Sequence, residues 1–149
     1  MGVEASRTIV ARKSRFCTPG YISGKSASSC EICPKGTQAV KNFTECEICE
    51  AGKFAADSGS PKCQACQPGH TSKAGAEICE PCTAGKYSKS FGGGKCELCE
   101  AGRYTMSDGS YYCLPCQLGR YADVQGLEEC KQCSAGKISA ESRLSCDDC

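Results

Sequence analysis

Strand-favouring side chains occur along this chain one at a time, each at the same distance from a glycine. The residues two positions after these glycines include Ile22, Phe54, Tyr87, Tyr104, Tyr121 and Ile138. Each is followed by a further turn-forming residue and then by a cysteine. This order predicts one tight β-hairpin in each unit. No window carries apolar residues at helical spacing over three turns, so the sequence predicts almost no helix.

The hairpin pattern recurs with a period of 16 or 17 residues, which indicates a tandem repeat protein. The motif C-x-x-C begins eight times, at residues 30, 46, 63, 79, 96, 113, 130 and 146. A Gly stands three residues after the second cysteine of every motif except the last, and Gly20 stands in the same relation to Cys17. Cys17 therefore starts a first unit in which Ser14 replaces the leading cysteine. We infer an N-terminal arm over residues 1–16 and repeats over 17–149, with units beginning at residues 17, 33, 49, 66, 82, 99, 116 and 133.

A second glycine position lies four residues before the next motif. It is occupied by Gly59, Gly75, Gly92, Gly109 and Gly126, and by Ser26, Asn42 and Ser142 in the other units. Glycine adopts positive φ without steric strain, and Asn tolerates it best among the other residues. These positions are therefore predicted to be turns.

The composition indicates that covalent bonds must stabilise these hairpins. Of 149 residues, 17 are Cys, a content typical of disulfide scaffolds. Leu, Ile, Val and Phe together number only 19, too few for a core that offsets a backbone entropy loss of about 1–2 kcal/mol per residue. Because cytosolic thiols are kept reduced, this many cysteines indicate an extracellular or cell-surface protein. The predicted fold is a small, disulfide-rich, mainly β, solenoid-like rod.

The first unit indicates which cysteines pair. If the second Cys of each motif bonds the first Cys of the next, a cysteine at position 14 would have no partner, and Ser14 stands there. The scheme predicts the bridges Cys17–Cys30, Cys33–Cys46, Cys49–Cys63, Cys66–Cys79, Cys82–Cys96, Cys99–Cys113, Cys116–Cys130 and Cys133–Cys146. For loops of this length the chain-entropy model gives about 3 kcal/mol per bridge.

Cys149 has no partner in this scheme. Either the chain continues into a further repeat of a longer protein, or Cys149 forms a disulfide with another subunit. Mass spectrometry of the non-reduced protein separates these two cases. A free thiol at Cys149 would contradict the link between subunits.

Other chemistry in the sequence favours no enzyme, metal or cofactor. C-x-x-C pairs at this spacing also bind zinc, but zinc knuckles place Gly directly after the second Cys, and Cys17 would have no place among four ligands. The single histidine, His70, occupies a position otherwise held by Lys or Arg, so it is expected to be a surface residue. The net charge of +1 gives no reason to expect nucleic acid as a partner, and no apolar run is long enough to span a membrane.

Two modifications concern the turn and strand positions. Asn42-Phe43-Thr44 is an N-glycosylation sequon, and Asn42 falls at the second glycine position, where a glycan would project into solvent. An intact mass without added hexose and N-acetylhexosamine would contradict occupancy of Asn42. The sequence leaves open whether Ser88 and Thr105 carry O-linked sugars.

The unit C-x-x-C-x-x-G-x-[YF]-[ST] followed by G-x-x-x-C resembles the ephrin-receptor-like cysteine-rich repeat, which is similar in style to EGF and TNF-receptor modules. It is intact in the segments that run from Cys79 to Cys96 and from Cys96 to Cys113, and the resemblance extends over residues 17–149. Gln38 and Thr71 depart from the aromatic position. The resemblance implies a disulfide-rich fold and an extracellular location, and it implies no ligand. Uninterrupted arrays of this kind resemble those on the surfaces of unicellular eukaryotes.

The predicted architecture favours a structural function. Stacked repeats are expected to contact only their neighbours and to form a quasi-one-dimensional rod. We therefore expect a subunit or segment of an extracellular filament, cell-surface appendage or coat, which self-associates or continues in a longer chain. Residues 1–16 contain the strand-favouring run 8–11. Either this arm is a frayed terminus or the remnant of another repeat, or it adds as a strand to a neighbouring subunit. The alternative is the stalk or ligand-binding segment of a receptor ectodomain or secreted matrix protein.

Overall fold

The computed structural model describes residues 17–24, 29–40 and 44–149. These residues form short strands and turns, and none of them is helical. The strands are β1 Tyr21–Ser23, β2 Cys30–Ile32, β3 Thr37–Val40, β4 Glu45–Ile48, β5 Lys53–Phe54, β6 Gln64–Ala65, β7 His70–Thr71, β8 Glu80–Pro81, β9 Lys86–Tyr87, β10 Glu97–Leu98, β11 Arg103–Tyr104, β12 Leu114–Pro115, β13 Arg120–Tyr121, β14 Lys131–Gln132, β15 Lys137–Ser139 and β16 Cys146–Asp148.

Consecutive strands pair in twos, which gives eight separate antiparallel hairpins. We number them hairpin 1 (β1 and β2) to hairpin 8 (β15 and β16). The first strand of each contains the position two residues after the glycine, and the second strand lies within the C-x-x-C motif, so that Tyr104 faces Leu114. The predicted class, a disulfide-rich chain of tandem β-hairpins, is confirmed.

The hairpins are less tight than the sequence pattern predicts. In hairpin 5, residues 88–96 connect β9 to β10, whereas the tightest hairpins have loops of two residues. Each strand pair is only two to four residues long, so pairing alone would leave such a hairpin marginal. Its loop is instead held by a disulfide and by contacts with other hairpins, which explains why it need not be short.

A disulfide closes each hairpin in the structure, and the sulfur atoms form the core. The bonded pairs are Cys17–Cys30, Cys33–Cys46, Cys49–Cys63, Cys66–Cys79, Cys82–Cys96, Cys99–Cys113, Cys116–Cys130 and Cys133–Cys146. Among the described residues, the largest side chains that are fully buried are all cysteines: Cys33, Cys49, Cys66, Cys82, Cys99 and Cys116. Each of these six is the second cysteine of a motif.

The backbone of these buried cysteines joins hairpins that are two apart in the chain. The Cys82 amide donates to the carbonyl of Gly69 within hairpin 4 (2.8 Å), and the Cys82 carbonyl accepts from the amide of Gly109 in the loop of hairpin 6 (2.7 Å). The same pair of hydrogen bonds recurs at Cys33, Cys49, Cys66 and Cys99. At Cys116 the Arg143 guanidinium donates to the carbonyl instead, because Ser142 replaces the glycine of that loop.

The expectation that repeats contact only their immediate neighbours is therefore wrong. Among the described residues, backbone hydrogen bonds link hairpins 2 to 7 to the next hairpin, and from hairpins 1 to 5 they also reach the loop of the second one along. A close approach between two glycines shows this: a Cβ on Gly69, where φ is +84°, would lie 2.0 Å from the Gly109 carbonyl oxygen. Because neither residue has a side chain, the two backbones come together and the loop of hairpin 6 reaches hairpin 4.

Two predictions concern residues outside the described part of the chain. The N-terminal arm over residues 1–16 is one, and the glycosylation of Asn42 is the other; both stay predictions. Within the described ranges, no helix is long and apolar enough to cross a membrane.

Candidate functional site

A buried position occupied by small residues forms the contact between consecutive hairpins. It lies directly after the aromatic position, and from hairpin 3 onward its residues are all buried: Ala55, Ser72, Ser88, Thr105, Ala122 and Ser139. From Ala55 to Ala122 the carbonyl at this position accepts the amide of the first glycine of the preceding hairpin, as in Gly85 to Thr105 (2.7 Å). At Ser139 the hydroxyl accepts the Gly119 amide instead (3.0 Å). A larger side chain would separate the two backbones. The repeat motif included this position as Ser or Thr, but sequence reasoning did not predict its burial or its contact with the preceding hairpin.

The burial of this position bears on the possible O-glycosylation of Ser88 and Thr105. Their side chains are only 4% and 6% exposed, and the Thr105 hydroxyl lies 2.6 Å from the Ser110 hydroxyl, with which it shares a hydrogen bond. A sugar attached to either oxygen would displace the adjacent hairpin. We therefore do not expect O-linked sugars at these two residues in the folded protein.

Three equivalent grooves run between consecutive hairpins from hairpin 5 to hairpin 8. Each groove lies between the tyrosine of one hairpin and the basic residue of the next: Tyr87 with Arg103, Tyr104 with Arg120, and Tyr121 with Lys137. Each of the six positions that line the first groove has an equivalent 17 positions later that lines the second, although the residue types at some of these positions differ. The grooves are shallow and open to solvent, and their repetition follows directly from the repeat.

The rims of the three grooves differ in charge. In the second groove Arg120 forms an ion pair with Glu129 (2.8 Å), and at the third Lys137 forms one with Asp148 (2.9 Å). In the first groove Tyr112 stands where Glu129 stands in the second. We name this first groove, lined by Tyr87, Lys89, Glu100, Arg103, Tyr112 and Cys113, the 87–112 groove.

An exposed ion pair beside the third groove gives a prediction about pH. Lys131 Nζ donates to both carboxylate oxygens of Asp123 (2.7 and 2.9 Å) and lies 5.9 Å from the centre of the Tyr121 ring. The hydrogen bond from Lys131 lowers the pKa of Asp123 below its ordinary value and raises the pKa of Lys131. The ion pair is therefore fully present above the ordinary pKa of Asp and is lost as pH falls through the lowered one.

We expect an NMR titration of the Asp123 carboxyl to show this lowered midpoint, and Lys131→Ala to raise it. Because both side chains are exposed, the substitution should leave the stability of the fold nearly unchanged. An Asp123 midpoint that is the same in the Lys131→Ala protein would contradict the ion pair.

The remaining residues singled out from the sequence lie apart from these grooves. Cys149 is exposed and forms no disulfide within the chain, and its link to another subunit or to a further repeat stays a prediction. His70 is half-buried, with Nδ1 3.4 Å from the Pro68 carbonyl oxygen, and it packs beside Gly109 of hairpin 6. In the part of the chain that the structure describes, no three His, Cys, Asp or Glu side chains are grouped so that they could hold a metal ion.

Eight disulfide-closed hairpins, in which cysteines are the largest fully buried side chains of the described residues, define a disulfide-rich tandem repeat protein. This is a structural class of protein and not an enzyme class, and its disulfide content indicates an extracellular or secreted chain. Residues 69–112 match the family described as tyrosine-protein kinase ephrin type A/B receptor-like. The match runs from hairpin 4 to hairpin 6 and confirms the resemblance to the ephrin-receptor-like cysteine-rich repeat in that segment. No curated protein sequence matches the chain.

Proposed function

We propose that this chain is a structural segment of an extracellular filament, cell-surface appendage or coat. The observation that carries the proposal is the set of backbone hydrogen bonds that joins successive hairpins and, from hairpins 1 to 5, also reaches the second hairpin along. A load along the array would have to break several of these bonds at each step, such as Gly109 to Cys82 and Gly85 to Thr105. The disulfides limit how far each loop can then extend.

The hydrogen bonds between hairpins also favour assembly. The same backbone groups are used at each step, so a further repeat, in the same chain or in a second copy, would extend the array by contacts of the same kind. An interface that does not close on itself produces open filaments and not rings. Self-association, or continuation in a longer chain, is therefore part of the proposal.

A second candidate is the stalk or ligand-binding segment of a receptor ectodomain or secreted matrix protein. The match of residues 69–112 to a receptor-like family supports it. In this case the array spaces a globular head from the membrane or from another module and does not polymerise. A transmembrane segment or a globular head encoded in the full-length gene would favour this second function.

Electron microscopy of native material tests the two functions. If the first is correct, antibodies against the repeats should label regular fibres or an ordered surface coat. Labelled particles that are dispersed and of one length would contradict it and support the stalk. The recombinant chain, followed by sedimentation at increasing concentration, provides a control for assembly that needs no other component.

A further inference from the structure

The 87–112 groove carries positive charge that its equivalents do not. Two cations, Lys89 and Arg103, line it against one carboxylate, Glu100. In the second groove Met106 replaces Lys89, and the charges of Arg120 and Glu129 cancel. Within the described ranges of the chain, neither Lys89 nor Arg103 forms an ion pair. An anion that enters this groove would meet two cations without displacing an internal partner.

The Arg103 guanidinium is held at the groove while most of its donors stay free. Its Nη1 donates to the Cys113 carbonyl at 3.2 Å, which orients the planar group beside Tyr112. A guanidinium has five N–H donors, so the remaining donors can form paired hydrogen bonds with a carboxylate or a sulfate. In the second groove the same contact to a carbonyl exists, but there Arg120 also binds Glu129.

Two tyrosine rings provide the apolar part of the groove. Tyr87 is half-buried, and Tyr112 is 50% exposed. The Tyr112 ring is braced edge-on by Tyr111, with ring centres 4.8 Å apart, so its orientation does not depend on a ligand. A ligand with an apolar ring face and an anionic group would contact these rings while its anion reaches Lys89 and Arg103.

We propose that the 87–112 groove binds a carboxylated or sulfated sugar unit of an acidic polysaccharide. The ring face of the sugar packs on Tyr112 and Tyr87, its anion pairs with Arg103 and Lys89, and Glu100 accepts a hydrogen bond from a sugar hydroxyl. Glu100 favours a sugar over an acidic peptide, because the sugar carries hydroxyl donors beside its anion and a glutamate side chain of the peptide carries none. The groove, with a volume of about 310 Å³, is at the lower end of the size range of small-molecule sites. The proposal does not depend on whether the chain forms filaments.

Binding of the full chain to heparin and to hyaluronate oligosaccharides, measured by calorimetry, tests this proposal. Neutral dextran and poly-L-glutamate are the comparison ligands. We expect the acidic sugars to bind and dextran and poly-L-glutamate to bind at least about tenfold more weakly, a difference of about 1.4 kcal/mol. Arg103→Ala and Tyr112→Glu should each weaken binding about tenfold or more. The first variant removes a cation, and the second places a carboxylate where Glu129 pairs with Arg120 in the second groove.

Matched variants separate this site from general electrostatic attraction. Tyr112→Ser removes the ring without changing charge and should weaken binding about fivefold, whereas Tyr112→Phe should retain it. Arg120→Ala, in the ion-paired groove, and Lys62→Ala, at an exposed lysine of hairpin 3, should change affinity less than about twofold. Equal losses in Arg103→Ala, Arg120→Ala and Lys62→Ala would overturn the proposal, and so would equal binding of poly-L-glutamate or the absence of binding to both acidic sugars. Circular dichroism spectra that match the unmodified chain confirm that each variant is folded.

Discussion

Reduction of the eight disulfides should unfold residues 17–149 without any added denaturant. The fully buried large side chains of the described residues are all cysteines, so no apolar core is left when the sulfur atoms separate. Each bridge closes a loop with a sequence separation of 13 or 14 residues and contributes about 3 kcal/mol. Eight such contributions exceed the net stability of about 5–15 kcal/mol that folded domains have. Amide hydrogen exchange followed by mass spectrometry should show protected amides before reduction and none after it.

Mass spectrometry of the non-reduced protein after proteolysis gives the disulfide connectivity. Cleavage after Glu31 separates Cys30 from Cys33, and cleavage after Glu47 separates Cys46 from Cys49, so the first two bridges are recovered in separate peptides. We expect Cys17 to be linked to Cys30 and Cys33 to Cys46, as in the structure.

Cys149→Ser is the matched control for the reduction experiment. It removes the one cysteine of the described residues that forms no disulfide within the chain and should leave hydrogen exchange unchanged. A reduced chain that keeps its protected amides would show that the backbone contacts between hairpins suffice without the disulfides.

Gly69→Ala should destabilise the array far more than Gly119→Ala. Both glycines have positive φ, +84° and +78°, so alanine costs about 1–2 kcal/mol of backbone strain at either one. At Gly69 the new Cβ would lie 2.0 Å from the Gly109 carbonyl oxygen, whereas at Gly119 it would have nothing within 4 Å. The clash at Gly69 is with backbone, which cannot rotate away as a flexible side chain would. Overpacking of this kind adds about 1–3 kcal/mol.

The hydrogen exchange of single amides distinguishes these two variants. In Gly69→Ala the Gly109 amide, which donates to the Cys82 carbonyl, should exchange at least about tenfold faster, as expected for a local loss of about 1.4 kcal/mol. In Gly119→Ala it should exchange as in the unmodified protein. If both variants accelerated the Gly109 amide equally, strain at positive φ would account for the loss, and the contact between glycines would not.

The repeat made much of the local structure predictable. A residue such as Tyr104, two positions after a glycine and ahead of a turn and a cysteine, indicates the same short strand wherever it recurs. The glycines at both turn positions, Gly69 and Gly109 among them, have the positive φ that their spacing indicated. These features depend on a few consecutive residues, and steric exclusion around the backbone is enough to define them.

The contacts between hairpins could not be predicted in the same way. The sequence shows that Gly69 and Gly109 occur at equivalent positions in every unit, but it contains no distance between units. The way in which successive hairpins stack places the loop of one hairpin against the hairpin two units earlier in the chain, as the loop of hairpin 6 lies against hairpin 4. This stacking also buries Ser88 and Thr105 and brings Tyr87 of one repeat beside Arg103 of the next.

The sequence by itself thus determined the secondary structure of each repeat, through the spacing of glycine, strand-favouring residue and cysteine within about 17 positions. How the hairpins contact one another was decided only in three dimensions. Backbone dihedral preferences act over neighbouring residues, whereas the stacking of hairpins depends on which surfaces lack a side chain. The bare backbone of Gly69 lets the loop of hairpin 6 approach, and Tyr112 in place of a glutamate leaves the cations of a single groove without a partner.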